Sequence, residues 1–249
     1  MTTADSPDRA EGWTAAVRQR LGLGRLLPLG GTADGAWIAE RAAAEVLRDA
    51  ATGSGTVLET LRITLADADG APAPVVPGPP SALPPGPLRI EAEFSATARR
   101  PLPATAEALR SALLTAAGER LGLVVAEVDL RVTELLDEEP ARGERSPAEV
   151  REVLPDGVAA TTAAAVPGVV SLTRVLGSAV RSGAGHVQVE LATAGDHRAL
   201  DVARAVREAV TAAVPGSPTV TVLVTAVVGR DRLRPLHEGG GRGFPSAGP

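Results

Sequence analysis

One order of elements is written twice in this chain, and it narrows the possible folds more than anything else. An amphipathic helix, two short strands, a longer amphipathic helix and a valine-rich strand occur once before Glu144 and again after it. In the first copy the periodicities place these pieces at Ala36–Ala51, Val57–Leu65, Leu88–Ala96, Ala104–Leu121 and Val125–Leu135. In the second they fall at Pro155–Val166, Val169–Leu176, His186–Ala192, His197–Val214 and Thr219–Val228. The repetition is one of order and not of letters. It predicts an α/β chain of the α+β type, built as two tandem modules. Each is a helix followed by a β-β-α-β unit, with helices covering one face of a small antiparallel or mixed sheet.

The punctuation between these pieces sets expected boundaries. Residues 1–31 read as a tail and a short amphipathic helix, 32–136 as the first module with a proline-rich insertion over 71–87, and 137–145 as a charged linker. The second module is expected over 146–228, followed by an Arg-, Gly- and Pro-rich tail over 229–249. Leu26–Gly31 reads as a Pro/Gly turn leading to Thr32 or Asp34, either of which can cap a helix beginning near Ala36. In that helix Ala39, Ala42, Ala43, Val46 and Ala50 share one face, and Glu40, Arg41, Glu45, Arg48 and Asp49 share the other. Ala71–Pro87 is dense in proline, which cannot donate to a strand ladder, so it reads as a surface insertion between two strands. Ser146–Pro147–Ala148–Glu149 supplies a capping box with Pro at the first helical position. In His197–Val214 the inward set is Ala199, Val202, Ala203, Val206, Ala209, Val210 and Ala213.

Composition restricts the chemistry. The 249-residue chain has no Cys, which removes disulfides, thiol nucleophiles and thiolate metal sites together. All 25 of its basic residues are Arg, a bias that coding in a GC-rich bacterium explains without selection for guanidinium groups. A formal net charge of -5 argues against a nucleic-acid footprint, and aromatics at 2% argue against a base-stacking platform. No apolar run approaches the ~18 to 20 residues of a membrane-spanning helix, and Met1–Glu11 lacks the pattern of a secretory signal.

Reactive groups are few. His186, His197 and His237 have no metal-ligand spacing, and each reads as a surface or strand-edge imidazole. Gly22–Leu23–Gly24 opens like a dinucleotide fingerprint, but Leu27 takes the place of the third Gly. Ser54 sits in a Gly-Ser-Gly turn without the spacing of a nucleophile elbow. Asp137, Glu138 and Glu139 are consecutive in a polar linker, where they are solvated and not held in contrasting environments. No catalytic residue, cofactor or metal is expected.

At 157–172 the sequence Gly-Val-Ala-Ala-Thr-Thr-Ala-Ala-Ala-Val-Pro-Gly-Val-Val-Ser-Leu resembles the opening of the alkaline-shock-protein-23/Gls24 family of envelope-stress proteins. That family begins with a small-residue helix ending in a Val-x-Gly-Val step into a strand. The likeness continues through His186–Leu191, Ala199–Val214 and Val220–Ala226, whereas the first copy matches in order and has Gly53–Ser54–Gly55 where the step should be. The resemblance implies a non-enzymatic scaffold or interaction protein in envelope homeostasis, oligomeric and cytoplasmic. It also implies membrane association through a membrane-anchored partner, self-association, or both. Residues outside the two modules, Trp13, Val17 and Leu21 on the first helix and Arg230, Arg232 and Arg234 in the tail, are the expected docking positions. The alternative is a small-molecule-binding regulatory module with its ligand between the two repeats.

Overall fold

A computed structural model describes residues 22–52, 56–137, 152–183 and 185–229. In chain order it contains β1 (Leu26–Leu29), β2 (Ala36–Ala39), α1 (Glu40–Ala51), β3 (Thr56–Leu65), β4 (Leu88–Thr97), α2 (Leu102–Thr115), β5 (Val125–Leu136), α3 (Val158–Ala164), β6 (Val169–Leu172), β7 (Val180–Gly183), β8 (His186–Ala194), α4 (Ala199–Ala213) and β9 (Thr219–Val228). The fold is α+β, with two mixed sheets. In the first sheet β3 and β4 are antiparallel, α2 crosses over, and β5 returns parallel to β4. In the second, β6 and β8 are antiparallel, α4 crosses over, and β9 returns parallel to β8. The two copies therefore share one strand order, as the repeated pattern predicts, with β7 added beside β8.

The start of the chain departs from the sequence reading. Leu26–Leu29 is not a turn and Ala36 does not begin a helix: the two segments pair as an antiparallel hairpin, and β2 continues the second sheet by lying parallel to β9. Every residue of both strands is buried, so four-residue apolar runs carried no period that could separate strand from helix. Pro28 is tolerated because β1 is an outer strand with a single strand neighbour. The helix starts at Glu40 and buries Ala42, Ala43, Ala44, Val46, Leu47 and Ala51. Glu40, expected on the solvent face, instead accepts hydrogen bonds at Oε1 from the Ile63 amide (3.2 Å) and at Oε2 from the Arg25 amide (3.1 Å).

Asp34 is likewise not a helix cap. It accepts from the Gly31 amide at 2.7 Å and receives both guanidinium arms of Arg204 on α4, at 2.7 and 3.2 Å. Partial burial works to raise its carboxyl, but the hydrogen bonds from Arg204 and Gly31 and the charges of Arg204 and Arg207 outweigh it. The carboxyl is therefore held below its ordinary value. Arg207 completes the latch by donating to the carbonyls of Ala33 and Val220, both at 2.9 Å.

The helices behave largely as their sequences dictate. Pro103 lies in the first turn of α2, where a missing amide hydrogen costs nothing. After Thr115 the helix widens into a π-turn, Ala116–Leu121, and stops at Gly122 with φ +91°. Gly122 is required twice over, because a Cβ there would also lie 2.4 Å from the Cβ of Leu200 on α4. On α4, Ala199, Val202, Ala203, Val206 and Val210 are buried as expected, while Ala213 is exposed at the helix end and Leu200 joins the buried set. Side chains of both copies form one continuous buried cluster, from Phe94 and Leu113 through Leu47 and Leu200 to Val222. The capping box at 146–149 and the linker from 138 onward lie outside the described residues.

Candidate functional site

The two sheets present very different outer faces. On the second sheet Trp37, Leu223 and Glu190 form one cross-strand row, and Thr221 and Gln188 form another on the same side. All five are buried, with Glu190 and Thr221 at 0% exposure. Their roof comes from two loops. The proline-rich segment expected as a free surface insertion lies across them: Trp37 Nε1 donates to Leu83 O (2.9 Å), Thr221 Oγ1 donates to Pro77 O (2.7 Å), and Val75 N donates to Thr32 O (3.1 Å). Gly78 is needed for this fit, since a Cβ there would meet the Trp37 ring at 3.1 Å. The segment stays out of the sheet apart from one bridge, Ala82 beside Leu26. A second loop follows β6, where Leu176 N donates to Glu190 Oε2 (3.0 Å) and Thr173 and Thr225 join hydroxyls at 2.8 Å.

Among the described residues, the first sheet has no such roof. Its helix-facing side is apolar, with Leu88, Ile90 and Phe94 fully buried, while Glu91 is exposed and Arg89 and Glu93 are half-exposed. Strand register sets the charges in rows. Arg89 stands opposite Glu127, Glu91 lies between Arg62 and Asp129, and Glu93 stands opposite Arg131. Arg89 Nε donates to Glu127 Oε2 at 2.6 Å and lies 3.6 Å from Asp129, and Arg131 Nη1 lies 3.3 Å from Glu93. The hydrogen bond that Arg89 donates to Glu127, reinforced by the charge of that carboxylate, raises the Arg89 guanidinium above its ordinary value. At the far end Ser95 Oγ donates to Glu59. Thr60, Arg62, Glu91, Glu93, Asp129 and Arg131 line an open groove of about 460 Å³ along this face.

Exposed pairs of this kind contribute little to stability, and the side-by-side acids Glu91 and Asp129 oppose folding. Stability therefore does not account for the pattern. Glu59, Glu91, Glu93, Glu127, Asp129 and Glu134 outnumber Arg62, Arg89 and Arg131, so the face is acidic and complements a basic surface.

Of the docking, histidine, serine and acidic residues singled out from sequence, only His186, His197 and Asp137 fall among the described residues, and neither histidine is on this face. Trp13, Val17, Leu21, Arg230, Arg232 and Arg234 lie outside the described residues, as do Ser54, Glu138, Glu139 and His237. His186 Nδ1 is 2.8 Å from Thr219 Oγ1 at the start of the β8–β9 ladder, and His197 Nδ1 is 2.9 Å from Asp196 Oδ1. Among the described residues no three His, Asp or Glu side chains gather as a metal site, and no helix is long and apolar enough to cross a membrane. The open face was signalled by alternation in Arg89–Ile90–Glu91–Ala92–Glu93 and Glu127–Val128–Asp129–Leu130–Arg131, which marks a solvated side but not its cross-strand partners. Compared with known families, curated proteins and solved structures, the chain finds no significant match.

Proposed function

We propose that this chain is a non-enzymatic scaffold or interaction protein that docks a basic partner segment on the open face of its first sheet. The observation that carries the reading is the acidic rows on β3, β4 and β5, which no described residue covers while the equivalent face of the second sheet is roofed. A solvated ion-pair ladder holds a partner by matching charge and not by enclosing a substrate. The resemblance of 157–172 to envelope-stress proteins supports a partner that is itself membrane-anchored, with the chain on the cytoplasmic side.

Affinity purification from native membranes tests this, using the full chain and the variant Glu91→Arg/Glu134→Arg. The expected result is one membrane-anchored protein recovered with the wild type and lost with the variant, with unchanged thermal unfolding. Recovery of the same protein by both would overturn the assignment of this face.

A further inference from the structure

The edges of the two sheets differ as much as their faces. On the second sheet β1 and β6 each span four residues, and both are partly covered: Leu83 N donates to Leu26 O, and Val153 N donates to Leu172 O. On the first sheet the β3 edge is interrupted between Leu58 and Leu61, and its Ile63 amide is occupied by Glu40. β5 is different. Among the described residues it runs for 12 residues with β4 as its single strand neighbour, and no backbone hydrogen bond from outside its own sheet reaches it. Long strand edges of this kind are templates for pairing with another strand. Because β5 carries both charge and bulges, which guard an edge against indiscriminate pairing, only a strand that matches its charges over the regular stretch between its bulges fits it.

The β5 sequence also fits itself. Register shifts against β4 fall at Ala126 and Thr133 and leave Glu127–Val132 as a regular stretch. If a second copy is laid antiparallel about Leu130, Asp129 of each chain faces Arg131 of the other, Val128 faces Val132, and Leu130 faces Leu130. Asp129 and Arg131 have the freedom to reach across, at 63% and 79% side-chain exposure. Val128, Leu130 and Val132 lie on the apolar side yet are only half-buried, and Leu135 is 54% exposed at the strand end. Pairing would cover all four.

We infer that β5 is a self-association edge, along which two copies of this chain pair antiparallel about Leu130 to join their first sheets into one. This deepens the scaffold reading by naming a partner on the same sheet. The contact is small, below about 1,200 Å², so the dimer is weak and reversible. It would double the acidic face presented to any further partner.

Sedimentation of the full chain over a wide concentration range tests the inference. Wild type is expected to show a reversible monomer–dimer equilibrium. Asp129→Arg and Arg131→Asp each set like charges opposite one another twice per dimer, and each should weaken association about tenfold. The double exchange Asp129→Arg/Arg131→Asp restores opposite charges in the same register and should recover association. Thermal unfolding of each variant checks that it folds, and either single variant carries the test if the other does not. A wild type that stays monomeric, single variants that associate normally, or a double exchange that fails to recover would each overturn the edge pairing. Capture of the membrane-anchored protein by a monomeric chain would leave the docking face standing. A dimer that captures nothing would remove the docking face and leave the edge.

Discussion

The outer faces of the two sheets share a strand order and share almost nothing else. On the second sheet the β1–β2 hairpin widens the sheet, and the proline-rich strap closes over Trp37 and Thr221, so that a face which would be solvated becomes interior. On the first sheet the same face keeps its charges in water, and among the described residues its last strand has β4 alone beside it. A duplicated framework can thus diverge, with one copy closed over its outer face and the other left uncovered by the described residues. The strap that closes the second sheet is the insertion between two strands of the first, so the open copy supplies the cover of the closed one.

If the strap face is truly interior, its central side chain should be expensive to truncate. Trp37→Ala removes a ring that is 2% exposed, together with its hydrogen bond to Leu83, and is expected to cost about 3–5 kcal/mol in denaturant unfolding. A loss below about 1 kcal/mol would mean that the roof is loose and the contrast between the faces overstated. Next comes Gly122→Ala, which tests whether the copies act as one body. A side chain at φ +91°, pressed on Leu200, should cost about 2–3 kcal/mol and destabilise both copies in one transition. Two separate transitions would show that the copies melt independently.

A smaller effect is expected from the Asp34 latch. Asp34→Asn should cost about 1 kcal/mol near neutral pH, a figure kept low because Arg204 is half exposed. Its carboxyl sits below the ordinary value of 3.8 in the folded chain, so the unfolded chain takes up the proton first as the medium is acidified. The contribution is complete well above 3.8 and fades as pH falls through that value toward the folded one. The stability gap between wild type and Asp34→Asn should therefore close in acid, and a gap that widened there would reverse the assignment. The smallest effect belongs to the open face: Arg131→Ala should change stability by less than about 0.5 kcal/mol. A large loss would make the ladder structural and remove the argument that it exists for contact.

Much of this architecture could be read from the sequence. Alternation placed β3, β4 and β5 to within a residue or so, because strands with one solvated face write their burial at period two, and a valine-rich run placed β9, which is buried on both faces. What escaped was decided at long range. Leu26–Leu29 and Ala36–Ala39 are too short and too uniformly apolar to show a period, and β2 is a strand because β9, nearly two hundred residues away, accepts it in parallel. Val180–Gly183 was missed because it is a mostly exposed, polar strand with one neighbour. The strap gave only proline content, which excludes a ladder but says nothing of the Trp37 ring beneath it. For the candidate site, the alternation of Glu91, Glu93, Asp129 and Arg131 announced a wet face. The opposition of Glu91 to Asp129, and the fit of β5 to its own reverse, needed the register.

The most direct test of the division between a closed and an open sheet is amide hydrogen exchange, followed by strand as the protein concentration is raised. The account predicts that β8 and β9 exchange slowly at every concentration. The segment 125–136 should exchange faster in the dilute monomer and gain protection, centred on Leu130, as copies associate. Protection of β5 that is independent of concentration, or β9 exchanging as fast as β5, would contradict it.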